Sequence, residues 1–280
     1  MNRPDAALHG QVKRSAAEIY EAFFVPALFD QWPGRVLDAA GLSVGDDVLD
    51  VGCGTGILAR TAARSLDGSG SVTGIDINDG MLTIARRTAE AVTWRHGPAD
   101  HLPFPDQSFD RVVSQFALMF FADQSTSLTE MARVARPGGT ITIATWASID
   151  QSPGYAAMAH LLQRLFGDEA ATALMAPFTL GTEAKLRDVI DKTLPDATVT
   201  LHQGLARFDS LEAWVHTDVR GWTLADMIDD DQYAQLLAAA KGELTDFVDD
   251  NGKVCFRAPA LIATAPACGK NATRPTSGVT

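Results

Sequence analysis

The stretch Val48 to Arg60, VLDVGCGTGILAR, constrains this chain more than any other. A short apolar run with a β-branched start stops at Asp50, glycines follow at positions 52, 54 and 56, and a helix-forming sequence begins directly after them. That order predicts strand, tight turn, helix. Glycine has no Cβ, so such a turn lets an adenosine-bearing ligand lie against the main chain at a helix N-terminus. The spacing narrows the ligand. A dinucleotide fingerprint, G-x-G-x-x-G, would put its third glycine at position 57, where this chain has Ile57. A pyrophosphate is therefore a poor fit, whereas Asp50 at the strand end offers an acceptor suited to the cationic moiety of an amino acid.

Further stations lie downstream. Ser71 to Ile77 (SVTGIDI) predicts a second strand ending in Asp76, 20 residues past Gly56, where a carboxylate can take both hydroxyls of a ribose. Thr93 to Gly97 (TWRHG), followed by Pro98, Ala99, Asp100 and His101, places a carboxylate where it can accept from an exocyclic amine such as that of adenine. Ser108 to Gln115 (SFDRVVSQ) predicts a buried strand opening on the same edge. Open parallel sheets bind ligands outside the carboxyl ends of their strands, so Asp50, Asp76, Asp100 and Gln115 should converge there.

Periodicity organises the remainder. Lys13 to Phe24 predicts a helix with Ile19, Tyr20, Phe23 and Phe24 on one face, followed by a Pro-containing stretch and a helix over Val36 to Ala40. Asp79 to Ala91 and Gln124 to Ala135 read as helical crossovers, and Pro137, Gly138 and Gly139 turn the second into a strand over Thr140 to Trp146. Strands alternating with helices of this length imply a parallel, doubly covered sheet. Beyond Trp146 the pattern becomes helical over Pro153 to Gly167, Glu169 to Met175 and Thr182 to Thr193. Thr198 to Phe208 and Lys253 to Thr264 then read as two strands added at one sheet edge, separated by helices around Leu211 to Val219 and Asp230 to Val248. Residues 265–280 lack apolar periodicity and are expected to be a disordered tail.

Composition excludes more than it assigns. A net charge of −12, from 23 basic and 35 acidic residues, disfavours a nucleic-acid partner, because phosphate backbones are held mainly by Lys and Arg. No stretch approaches the roughly 20 apolar residues of a spanning helix, so membrane insertion is not expected and the cytoplasm is the default location. The three cysteines, Cys53, Cys255 and Cys268, are odd in number and far apart, suggesting neither a disulfide frame nor a metal site.

The segments VLDVGCGTG (48–56), VTGIDIN (72–78), GMLTIARR (80–87), HGPADHLPFPDQSFDRVVS (96–114) and EMARVARPGGTITIATW (130–146) together resemble the class I S-adenosylmethionine-dependent methyltransferases. The likeness covers about residues 15 to 146 and is strongest to the small-molecule branch that includes ubiquinone and menaquinone C-methyltransferases. That branch has LPF-x-D-x-SFD and RV-x-(K/R)-PGG blocks, seen here as Leu102 to Asp110 and Arg133 to Gly139; of its amino-terminal histidine and tryptophan, only Trp32 is present. The resemblance implies a Rossmann-like, doubly wound, mostly parallel seven-stranded α/β sheet with an antiparallel last strand. It also implies an N-terminal helical cap over residues 1–35, a methyltransferase domain over 36–264, and a helical lid inserted at about 150–180.

With the resemblance, the cofactor-binding candidates are Asp50, Gly52, Cys53, Gly54, Gly56, Asp76, Ile77, Met81, Ala99, Asp100, His101 and Gln115. The cofactor is S-adenosylmethionine, the product S-adenosylhomocysteine, and the acceptor a small, apolar or aromatic molecule methylated by direct in-line displacement. A sulfonium methyl is already electrophilic, so position near the acceptor supplies most of the rate. Where the acceptor needs a base, His101, Tyr20, Tyr155, His160 and His216 are the candidates. The rings of Trp32, Phe116, Phe120, Phe121, Tyr155, Phe166 and Phe178 are candidates for an apolar acceptor pocket or for plain core, with core expected for Trp214 and Trp222. Two other readings stand beside this one: a non-catalytic S-adenosylmethionine-binding protein, and an NAD-dependent oxidoreductase, against which Ile57 and the lack of a Tyr-x-x-x-Lys pattern weigh. Acceptor identity and oligomeric state stay open.

Overall fold

The computed structural model describes residues 14–221 and 223–267. Lys13, Trp222, Cys268 and the rest of the expected tail lie outside them. Seven strands form one sheet in the order β3-β2-β1-β4-β5-β9-β6. These are β1 (Asp47–Val51), β2 (Ser71–Asp76), β3 (Thr93–His96), β4 (Phe109–Gln115), β5 (Ala135–Trp146), β6 (Thr198–His202) and β9 (Ala260–Pro266). The first five run parallel, and β9 lies antiparallel to both β5 and β6. The sheet is therefore mostly parallel and seven-stranded, with its last strand reversed.

Burial explains why the centre of the sheet is so apolar. Val48, Leu49 and Val51 of β1 and Val112 and Val113 of β4 are all fully buried, as strands covered by helices on both faces must be. On one face pack α2 (Pro33–Ala40) and α3 (Ile57–Leu66), and on the other α5 (Gln124–Val134) and α8 (Glu183–Ile190). The chain turns back on itself between β1 and β4, and a crevice opens where strand order reverses. Local chemistry fixes where the crossovers begin: Asn78 caps α4 (Asp79–Thr88) by accepting from Met81 N at 3.0 Å, and Asp123 caps α5 through Thr126 N at 2.9 Å.

The Leu102–Asp110 and Arg133–Gly139 blocks form one structural unit. Arg133 donates to the carbonyls of Leu102 (3.0 Å) and Phe104 (2.8 Å) and pairs with Asp106 and Glu130, while Glu130 accepts from Leu102 N at 2.9 Å. This clamp holds the loop that follows β3 against α5. Arg136 likewise pairs with Asp47 and Asp110, tying the starts of β1 and β4 together.

Several expectations are corrected. The first helix does not end before Pro26: α1 (Arg14–Ile19) runs on into a wider-wound helix over Tyr20–Phe29 that contains it. Its i→i−5 bonds, such as Asp30 N to Val25 O at 2.9 Å, accommodate a residue that would break an α-helix, and the changed winding leaves Phe23 41% exposed while Phe24 is buried. Strand β5 starts at Ala135, not Thr140, with an irregularity absorbing the Pro-Gly-Gly between the Phe109 and Arg111 pairings. The strands expected over Thr198 to Phe208 and Lys253 to Thr264 each divide. His202 is the last residue paired with β9, after which β7 (Leu205–Phe208) joins β8 (Val254–Arg257) in a separate two-stranded ribbon. Pro259, without an N–H for the ladder, marks the break. Residues 265 and 266 belong to β9, and Ala267 N–H bonds Gly139 O at 2.8 Å, so the fold extends into the stretch read as tail.

The remaining helices are α6 (Pro153–Phe166), α7 (Asp168–Met175), α9 (Leu211–Arg220) and α10 (Asp230–Glu243). They build a second apolar layer around Trp214, with Phe208, Phe256 and Phe247 packed against its ring. Gln31 stitches the N-terminal segment to this layer by bonding both the carbonyl and the N–H of Leu205.

Candidate functional site

The crevice at the β1/β4 switch is a cavity of about 160 Å³, roughly ten times what one water needs on the same measure. Its floor is the glycine turn. Gly52 sits at φ 70°, in the left-handed region, and a Cβ there would come within 2.5 Å of Ala117, so only glycine lets β1 approach the loop after β4 this closely. Gly56 also has a positive φ, 91°, but faces away from the cavity: a Cβ would lie 2.2 Å from the Trp94 ring. Gly56 is thus held to glycine by packing beneath the turn.

Three carboxylates line the cavity, from Asp50, Asp76 and Asp100, and among the described residues no Lys, Arg or His lines it. Asp50 Oδ2 accepts from Ala59 N at 3.1 Å, within the first turn of α3. Burial, with the Asp76 charge nearby, pushes its carboxyl up to about 8. Asp76 accepts from Gly54 N and Asn78 N, each at 2.8 Å, one per oxygen. Burial raises its pKa too, although these N–H groups and His96 oppose the rise. Two buried carboxyls whose pKa values are raised, beside an open cavity, make a site that gains from a cation and disfavours phosphate.

Polar atoms without partners point the same way. Thr55 Oγ1 and Gln115 Oε1 belong to cavity-lining residues, are buried, and have no hydrogen-bond partner. A Cβ built on Gly54 meets nothing within 4 Å, so the space above the turn is open. The opposite wall is aromatic: Tyr20, Phe116, Phe120 and Phe121. Phe116 holds a positive φ of 56° at the end of β4, a conformation costly for an aromatic residue, and stacks on Trp146 with centroids 3.9 Å apart.

Of the expected cofactor residues, Asp50, Gly52, Cys53, Gly54, Asp76, Ile77, Met81, Ala99, Asp100 and Gln115 share this one cavity. Gly56 and His101 do not line it, and His101 is exposed. Of the expected bases, only Tyr20 reaches the cavity, and burial beside Asp76, Glu21 and Asp50 drives its pKa far up, so its phenol keeps its proton. His160 is exposed, and His216 packs between Phe23 and Tyr233, away from the crevice. Asn78, Thr55 and Ser127 line the site without having been anticipated, because Asn78 and Thr55 are single polar residues placed by their turns and Ser127 is placed by the packing of α5.

A second, smaller cavity of about 40 Å³ lies behind the aromatic wall. Phe24, Leu28, Phe29, Trp146, Tyr155, Leu174, Phe178 and the carboxyl of Asp218 line it. The rings expected to form one acceptor pocket are therefore split: Phe116, Phe120 and Phe121 face the first cavity, and Tyr155 and Phe178 face the second. Trp32 and Trp214 are fully buried core, and half-buried Phe166 packs on that core.

Comparison with known proteins bears on this geometry directly. Residues 49–143 match the methyltransferase domain family. The chain is also 41% identical over 115 residues to a demethylmenaquinone methyltransferase of Tropheryma whipplei. That match covers 40% of this chain and 46% of the relative, so the chain spans about half the length of the curated relatives it matches. Solved structures share the fold more widely. A phosphoethanolamine N-methyltransferase of Haemonchus contortus, in complex with phosphomonomethylethanolamine and S-adenosylhomocysteine, aligns with a TM-score of 0.58 at 20% identity, over 91% of this chain and 57% of that one. The [4+2]-cyclase SpnF aligns at 0.53 and 17% identity, over 86% and 82%. These likenesses show a shared Rossmann-like fold that extends beyond the matched segment.

Proposed function

We propose that this protein is an S-adenosylmethionine-dependent methyltransferase acting on a small-molecule acceptor. The observation that carries the reading is the acidity of the larger cavity: three carboxylates line it and, among the described residues, no basic side chain does. A dinucleotide would bring a pyrophosphate to that wall, whereas S-adenosylmethionine brings an ammonium and a sulfonium. When bound, the cofactor supplies an electrophilic methyl group on sulfur.

In this reading Asp76 takes the ribose hydroxyls, its carboxylate held by Gly54 N and Asn78 N. Asp50 faces the amino-acid moiety from the N-terminus of α3, and the Gly52–Gly54 turn gives the main-chain surface on which that moiety lies. Ala99 and Asp100 receive the adenine edge, presented by the loop that Arg133 clamps. Gln115 Oε1 and Thr55 Oγ1 gain the partners they lack. The acceptor lies against Phe116, Phe120 and Phe121, with water kept out by those rings. Tyr20, holding its proton, donates to an acceptor oxygen and takes no proton from it. Transfer is a single in-line displacement in which the chain contributes position above all.

The remaining assignments belong to the same reading. Of the cap expected over residues 1–35 only the part from residue 14 is described; in this reading residues 14–35 cap the site, 36–267 form the catalytic domain and about 150–180 its lid. The acceptor is not a nucleic acid, in keeping with the net charge of −12. Among the described residues no helix is long and apolar enough to cross a membrane, and we place the protein in the cytoplasm, where its cofactor is available. Calorimetric titration tests the cofactor: S-adenosylhomocysteine should bind and NAD should not, and the reverse result overturns the assignment. Label transfer from S-adenosyl-[methyl-³H]methionine to a panel of phenols, amines and quinols then tests catalysis, and tight cofactor binding with no labelled product would favour a non-catalytic role.

A further inference from the structure

The second cavity holds a buried acid that the proposed transfer does not use. Asp218, on α9, is 3% exposed, lines the cavity, and its Oδ2 has no hydrogen-bond partner among the described residues. The Tyr155 hydroxyl and Trp214 indole N–H act on its carboxyl and favour its charged form, but neither reaches Oδ2 with hydrogen-bond geometry. Among the described residues no basic side chain acts on it, and burial pushes its pKa up to about 8. Arg220, two residues on, is turned to Ile228 O and Asp230. Buried carboxylates are ordinarily paired with a cation, so the missing member of this pair is informative.

The walls say what kind of cation fits. Phe24, Phe29, Trp146, Tyr155 and Phe178 bring five aromatic rings to a space with room for about three waters. Tyr155 and Phe178 meet at 5.5 Å, tilted by 52°, and both line the cavity. Aromatic faces around one carboxyl favour a weakly hydrated organic ammonium over a metal ion, which would need several oxygen ligands. Half-buried Ala173 and Pro177, on α7 and the turn after it, form the outer rim.

We propose that this cavity binds the ammonium end of a small organic amine, with Asp218 as its counter-ion and the surrounding rings as its cage. The two cavities share a wall: Trp146 stacks on Phe116, and Phe29 stacks on Tyr20 with centroids 5.1 Å apart. That wall separates the amine site from the methyl-donor cavity, so amine binding here stands apart from the proposed function.

Ligand-observed NMR titration of the full chain with n-butylammonium, 1-butanol and butyrate tests the site. The ammonium should bind at least about fivefold more tightly than the alcohol, butyrate should not bind, and Asp218→Asn should abolish the preference. Equal or tighter binding of 1-butanol, or an unchanged preference in D218N, overturns the proposal. If D218N fails to fold, as judged by near-UV circular dichroism, Phe178→Leu carries the test: it should weaken ammonium binding severalfold more than alcohol binding, and equal effects overturn the proposal. S-adenosylhomocysteine titrated in parallel should bind D218N as it binds the unaltered chain. Its failure to bind the unaltered chain would count against the methyltransferase reading and leave the amine site standing.

Discussion

The two cavities contain the same chemical group in opposite structural circumstances. In the larger one, Asp50 and Asp76 accept hydrogen bonds from backbone N–H groups of the turn and helices that form the site, so each carboxylate helps to fold what it serves. In the smaller one, Asp218 accepts no backbone N–H and faces rings. Burial lifts both Asp50 and Asp218 to about 8, yet only Asp50 has that rise opposed by main-chain donors. A raised pKa alone therefore does not tell a built-in carboxylate from one awaiting a partner; the hydrogen-bond inventory does.

The contrast can be broken experimentally. The largest effect should come from Gly56→Ala, which forces a Cβ against Trp94 and a side chain into positive φ. Overpacking at about 1–3 kcal/mol and left-handed strain at about 1–2 kcal/mol should together remove much of the stability seen in urea melts. Gly54→Ala, in the same turn but facing open space, should cost only the strain. Equal losses for the two would mean that Trp94 does not support the turn.

Asp76→Ala should weaken S-adenosylhomocysteine binding by about 1–3 kcal/mol, measured calorimetrically. Unchanged affinity would remove Asp76 from the site.

A third test uses pH. Asp50 and Asp218 have folded pKa values of about 8, above the ordinary carboxylate value of 3.8, so the folded state binds their protons more tightly than the unfolded state does. Their contribution is fully present below about pH 4 and is lost as pH rises through about 8. The ligand-free protein should accordingly show a lower Tm at pH 8 than at pH 5, and Asp218→Asn should flatten that slope and gain about 1–2 kcal/mol at pH 8. A slope unchanged in D218N would mean that Asp218 is paired after all.

The smallest effect is expected from Tyr20→Phe. Loss of a hydroxyl that donates but does not accept a proton should reduce kcat/KM severalfold, about 0.5–1.5 kcal/mol, without moving the pH–rate profile. A displaced profile would make Tyr20 a base.

How much was legible beforehand differs between the two halves of the chain. From Val48 to Gln115 each strand ends in its own polar station, and one topological rule, that ligands lie at the carboxyl ends of parallel strands, gathers them without knowledge of any side-chain contact. Even there the glycines were only partly readable. Gly52 and Gly56 look alike in sequence, and which one faces the cavity depends on Trp94 arriving from β3. The histidines misled because a histidine near a strand end is common, while its exposure is set by the loop. The strand breaks at Gly204 and Pro259 each fall on a single breaker residue within a longer strand-like stretch, and only their simultaneous departure from the sheet into the β7–β8 ribbon shows them.

By itself, then, the amino-acid order determined the strand–turn–helix of the nucleoside site, the parallel alternation behind it and the acidic character of its stations, because each depends on neighbours a few residues apart. Tertiary structure alone decided the second cavity. Phe24, Phe29, Trp146, Tyr155, Phe178 and Asp218 come from five separate helices, strands and turns, and no spacing along the chain encodes a meeting that exists only once those elements pack.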